Sequence, residues 1–209
     1  MVVPLVGLIG FLVIFGWIEN IGTLKSIRPG YVAMMPNTAA SFVLSSVALW
    51  LAAVPHRRPW HAWLADFAPT IVALVGLLTL TEYTFDVNLL IDHLLGAYPD
   101  RQAEFPGRMS PLTAMSFVLF GSAAMMPSYS RRWIHVGFAV LTLAGLTISF
   151  LTLLGYADDA PTLFNPTPYA SSALHTALTF LMLFAALSFV RSDIGLVAFV
   201  RWLWRIEFN

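Results

Sequence analysis

Cysteine is absent from the sequence, which excludes disulfides, thiolate metal centres and a cysteine nucleophile. Charge is scarce as well: Asp, Glu, Lys and Arg make up 11% of the chain, far too little to cover the surface of a soluble domain of 209 residues. The 11 basic and 11 acidic residues cancel, so no global field recruits nucleic acid. Also missing are a GxSxG elbow, an HExxH pair, a Walker loop and a phosphate-cradling glycine run, and no enzymatic activity is expected. No ionisable residue falls near the middle of a long apolar run. That argues against an ion pump, a proton relay or a charge-coupled carrier, whose pathways need such residues at the midplane.

What is present is apolar. Hydrophobic residues make up 58% of the chain, the mean hydropathy is +0.78, and the 7 Trp, 6 Tyr and 16 Phe suit the aromatic belts of a bilayer protein. About 20 apolar residues, each rising ~1.5 Å, cross a hydrocarbon core of ~30 Å. Six stretches qualify, roughly 2–19, 36–54, 62–83, 111–127, 133–155 and 172–190, separated by Pro- and Gly-bearing breaks at Pro29-Gly30, Pro55, Pro59, Pro99, Pro106-Gly107, Pro127, Pro161, Pro166 and Pro168. Runs of this length without strict alternation are helices. Residues 2–18 have no Lys or Arg before them and no small-residue cleavage site after them, so they read as a retained first span rather than a signal peptide.

The basic residues set an orientation. Arg57, Arg58, Arg131, Arg132, Arg191, Arg201 and Arg205 lie in the two short loops and the tail, whereas Lys25, Arg28, Arg101 and Arg108 lie in the long loops. The short-loop side is therefore expected in the cytoplasm, with both termini there. The expected fold is all-α and integral to the membrane: six transmembrane helices as three tandem helical hairpins over residues 1–193, followed by an interfacial tail at 194–209.

The hairpins announce themselves as a repeat. "MMPNTAASFVL" at 34–44 returns as "MSPLTAMSFVL" at 109–119 and, more loosely, as "SALHTALTFLM" at 172–182. Thr38, Thr113 and Thr176 each fall at the outer start of an inward-running helix. Asn37, Ser110 or the Thr hydroxyls can cap free N–H groups there, and Pro36 and Pro111 suit a first helical turn. Two readings of the motif stand side by side. Small residues such as Ala39, Ser41, Ala114, Ser116, Ala177 and Thr179 let helices pack closely. Three helix N-termini converging at one face could also hold an anion or a polar headgroup.

Ligand contacts, where there are any, are expected from Asn37, Thr38, Thr113, His175 and Thr176, joined by Glu82 and His93. The stretch 79–108 is the longest extramembrane segment, and Asn88-Leu89-Leu90-Ile91 with Leu94-Leu95 reads as a short amphipathic surface helix. Glu82 and Asp66 close and open the third span, where solvation or snorkelling at the interface explains them. No cofactor or metal is expected. His93 and His175 are the pair that could ligate a haem or a pigment, but they lack a ligand-like helical spacing. Arg201, Trp202, Trp204 and Arg205 form an aromatic and basic tail suited to the inner membrane face or to another protein.

The repeated Pro-Asn-Thr-Ala, Ser-Pro-Leu-Thr-Ala and Leu-His-Thr-Ala pattern, with "PGRMSPLTA" at 106–114 and "RSDIGLVA" after the last span, resembles the N-terminal multi-span sensor modules of bacterial sensor histidine kinases and diguanylate cyclases. The resemblance runs over about 5–195. It implies a non-catalytic sensory or input module in the bacterial inner membrane, detecting a membrane-soluble or periplasmic cue and transmitting it through its last helix to cytoplasmic signalling domains, as in two-component systems. No phosphoacceptor histidine box, ATP-binding glycine motif or GGDEF string occurs in the sequence. The alternative is an accessory membrane subunit of a larger respiratory or photosynthetic complex. The partners expected are the lipid bilayer, other membrane subunits or further copies of the chain, and no nucleic acid.

Overall fold

The structure, a computed structural model, describes residues 2–28, 31–54, 58–93, 107–126, 132–157 and 172–194. Every regular element among them is helical. They are α1 (Val2–Ile18), the single turn α2 (Gly22–Lys25), α3 (Pro36–Ala53), α4 (Pro59–Phe85), α5 (Pro111–Ala124), α6 (Arg132–Ala157) and α7 (Leu174–Val190), with a 3-10 turn at Ile91–His93.

Three of these helices, Pro36–Ala53, Pro59–Phe85 and Trp133–Tyr156 within α6, are long and apolar enough to cross a membrane. The apolar helices α1, α5 and α7 are shorter. The 14 residues of α5 rise about 21 Å, less than a ~30 Å hydrocarbon core. α4 is longer than the expected third span, beginning at Pro59 and keeping Pro69 inside it. Proline lacks an N–H, so the Ala65 carbonyl receives no backbone bond from that position.

The helices pair as hairpins: α1 packs on α3, α4 on α5 and α6 on α7. The hairpins then close a ring, with α3 against α4, α5 against α6 and α7 against α1. The first helix of each hairpin lies outside. On α4, Trp63, Phe67, Leu74 and Leu77 are exposed at helical spacing, and on α6 so are Trp133, Val136, Val140 and Leu143. Large apolar side chains facing outward over several turns suit contact with lipid acyl chains.

The returning helices α3, α5 and α7 form the interior, and equivalent residues of the repeat meet there. Phe42, Phe117 and Phe180 are fully buried, and each ring touches the other two, with centroids 5.1 Å, 4.7 Å and 4.7 Å apart. Edge-to-face and tilted pairs at such distances add about 0.5–1.5 kcal/mol each beyond their area. Three rings at one repeat position can all touch only if the three helices start at the same end of the bundle. Immediately before each ring, the hydroxyls of Ser41, Ser116 and Thr179 donate one turn back to the carbonyls of Asn37, Leu112 and His175, so that each of these three hydroxyls has a partner.

The repeat extends into the outer helices, where no shared string marks it. Trp17 Nε1 donates to the Met34 carbonyl at 2.8 Å, Tyr83 Oη to Met109 at 3.2 Å and Tyr156 Oη to Ser172 at 2.7 Å. Each acceptor lies two residues before its returning helix, so an aromatic at the end of each outer helix ties down the start of the inner one. Gly10 and Gly76, one common spacing before Trp17 and Tyr83, are sites of close approach. A Cβ on either would stand 2.6 Å from a backbone oxygen, that of Ala39 or of Ala114. Asn20 and Asp86, just past the ends of α1 and α4, take positive φ of 55° and 51°, which short polar residues tolerate.

Candidate functional site

The end of the bundle where the inner helices start is its chemically varied end. Pro36 and Pro111 occupy first-turn positions, as expected, because a missing N–H costs nothing there. The capping is uneven. Ser110 Oγ accepts from Thr113 N and lies 2.9 Å from Thr113 Oγ1, which in turn lies 3.1 Å from Ser172 Oγ. That chain of hydroxyls links the second hairpin to the third. Asn37 does not cap from the flank but sits inside the first turn of α3, where its Oδ1 accepts from Thr38 N at 2.7 Å. The residue flanking α7 is Ala173, which has nothing to offer.

Glu82 overturns its interfacial reading. It is fully buried, with Oε1 accepting from Leu89 N at 2.7 Å and Oε2 lying 3.4 Å from Arg108 Nε. The same Arg108 Nε donates to Asp92 Oδ2 at 2.9 Å, and Asn37 Nδ2 donates to Asp92 Oδ1 at 3.2 Å. The Arg108 guanidinium also lies 5.2 Å from the centre of the Tyr83 ring. Two carboxylates, one guanidinium and one amide thus form a buried network that fastens the loop of the second hairpin to the start of α3. Attraction between such groups survives because water is excluded, but each must be answered, since a lone buried charge costs several kcal/mol.

This network replaces the expected amphipathic helix. Residues 88–91 are not α-helical: Leu90 has φ 60°, its N–H goes to Asn88 Oδ1, and only the turn Ile91–His93 follows. Leu94 and Leu95 lie outside the described residues, as do Arg201, Trp202, Trp204 and Arg205. The backbone of His93 belongs to that turn, and its side chain is outside the description. Among the described residues no three His, Asp or Glu side chains gather as a metal site would need.

Thr38, Thr113 and Thr176 are all buried, at equivalent places. His175 stands where the first hairpin carries Asn37 and the second Leu112. Its residue is 8% exposed, and neither Nδ1 nor Nε2 has a hydrogen-bond partner. A neutral imidazole offers one donor and one acceptor, and burying both unanswered is costly. Thr79 Oγ1, one turn before Glu82 on α4, is buried and unanswered too. Sequence reasoning grouped Asn37, Thr38, Thr113, His175 and Thr176 at converging helix starts and held Glu82 and His93 as further candidates. The structure joins Asn37 and Glu82 through Asp92 and Arg108, and Thr113 to Ser172, while His175 remains apart. Asp92, Arg108 and Ser172 were missed, and the one available signal was their place just before repeat starts or within the acidic loop.

No family model, curated protein or solved structure matches the chain.

Proposed function

We propose that the chain is a non-catalytic sensory or input module of the bacterial inner membrane, with six spans, both termini in the cytoplasm and its polar bundle end on the outer side. The helical-hairpin ring and the seven-to-four distribution of basic residues support that topology. A small membrane-soluble or periplasmic ligand binds where the three inner helices start, and the last helix carries the response. The observation that carries this reading is His175: an imidazole buried with both nitrogens unanswered, in the first turn of a helix whose flanking residue cannot cap it. Free helix N–H groups and a polar ring side by side suit an oxygen acceptor such as a carbonyl or an anion.

Signalling then needs two packings of the bundle separated by a few kcal/mol and differing in ligand affinity. The shared Phe42, Phe117 and Phe180 contact favours all-or-none repacking, since no one inner helix can shift without disturbing the other two. The test is a cytoplasmic reporter fused behind the full chain and challenged with quinones, lipids and redox agents. Ligand-dependent output that disappears in His175→Phe is the expected result. A flat response across the panel, or stoichiometric co-purification with an electron-transfer complex, would overturn sensing, and the second would favour an accessory-subunit role.

A further inference from the structure

At the opposite end of the bundle the inner helices stop short of one another. They leave a cavity of about 520 Å³ between the last turns of α3, α5 and α7 and the second and third turns of α4. Its size is that of a small-molecule site, within the usual ~300–1,000 Å³. Polar and apolar atoms share the wall about equally, and the apolar side chains that reach it include Met125, Met126 and Val190. Among the described residues the charged groups on it are Asp66, Arg191 and Asp193, two carboxylates against one guanidinium.

The described elements that meet here set the local sign of the field, while the short loops at this end of the bundle also carry Arg57, Arg58, Arg131 and Arg132. Three helix C-termini converge, each carrying a partial negative charge of roughly half an electron. The N-terminal end of α4 offsets little, because its partial positive charge is confined to the first turn and the cavity begins beyond it, at Ala65. Pro69 adds to the effect by withholding an N–H from the Ala65 carbonyl. Arg191 is already engaged: Nη1 donates to the Ala124 carbonyl at 2.9 Å, Nη2 to that of Met126, and Nε lies 3.8 Å from Asp193. It serves as a cationic cap on the end of α5, so Asp66 remains the carboxylate offered to an occupant.

We propose that this cavity binds an organic cation with a primary ammonium group and a short apolar body, its ammonium on Asp66 and its carbon chain along Met125, Met126 and Val190. The ammonium is matched by the Asp66 carboxylate, and the apolar side chains on the wall match a body of several methylenes. Such a group comes either from a soluble alkylamine or from the headgroup of an aminophospholipid. The site lies at the other end of the bundle from His175 and is independent of the sensory reading.

The experiment uses the full chain purified in detergent, with hexylammonium, hexanol and hexanoate as probes followed by calorimetry. Hexylammonium is expected to bind, hexanoate not to, and hexanol only weakly. Asp66→Asn should weaken hexylammonium about tenfold or more, the loss of one charge-assisted contact. Ala52→Phe, which fills the cavity and leaves the carboxylate in place, should abolish binding. To separate the sources, native mass spectrometry compares protein from phosphatidylethanolamine and phosphatidylcholine nanodiscs. Ethanolamine lipid retained by wild type, lost in Asp66→Asn and displaced by hexylammonium identifies the lipid headgroup. Hexylammonium binding unaffected by either lipid identifies a soluble amine. Equal affinity for hexylammonium and hexanoate, or an affinity unchanged in both variants, would overturn the proposal.

Discussion

The two ends of the bundle hold similar side chains to opposite effect. At the end where the inner helices start, two carboxylates and a guanidinium are buried and locked together: Glu82, Asp92 and Arg108 are tied to one another, to Asn37 and to loop backbone. At the other end, Asp66, Arg191 and Asp193 rim an open cavity. The same charge set therefore acts as a fastener where water is excluded and as a binding surface where it is not. Burial decides which, because a buried ion must be answered within the protein whereas an exposed one is answered by solvent or ligand.

Substitutions at the two ends should separate accordingly. Arg108→Met carries the largest expected effect: Glu82 and Asp92 are left facing each other without a counter-charge, and stability should fall by about 3–5 kcal/mol, read as a lower unfolding midpoint in detergent. A loss under 1 kcal/mol would mean that the closed end is no more locked than the open one. Gly76→Ala comes next, since its Cβ would sit 2.6 Å from the Ala114 oxygen. Forcing α4 off α5 should cost about 1–3 kcal/mol by the same measurement. Ser110→Ala removes the cap on Thr113 N together with the contact to Thr113 Oγ1, Tyr156→Phe removes one bond, and each should cost about 1 kcal/mol, with Tyr156→Phe also increasing amide exchange around Ser172. Asp66→Asn, at the open end, should shift stability by no more than about 0.5 kcal/mol, because its carboxylate is exposed. A large loss there would show that Asp66 is structural and remove the contrast.

Much of this architecture was legible from residue order, and the reasons for the gaps are physical. The three inner helix starts could be read because Thr, Ala, a hydroxyl residue and Phe recur in one unbroken string, each fixed by the same tight interior. The ties from Trp17, Tyr83 and Tyr156 were hidden by loops of unequal length and by the exchange of an indole for a phenol, although both donate one hydrogen bond from a flat ring. The common spacing from Gly10 to Trp17, Gly76 to Tyr83 and Ser149 to Tyr156 was the available clue. Glu82 was misread because a carboxylate near the end of an apolar run looks interfacial, and only the fold brings Arg108 beneath it. His175 was singled out by type and by its place in the third copy of the repeat, and its unanswered ring nitrogens needed coordinates to appear. The stretch 88–91 misled for another reason: its leucines fit an amphipathic pattern, but Asn88 and Glu82 capture the N–H groups that a helix would have used.

The aromatic triangle also bears on how the molecule comes into being. Phe42 leaves the ribosome well before Phe117, and Phe180 follows last, so the three rings can meet only after α7 has been made. The aromatic interior therefore closes only with the arrival of α7, which brings the ring that touches both of the others.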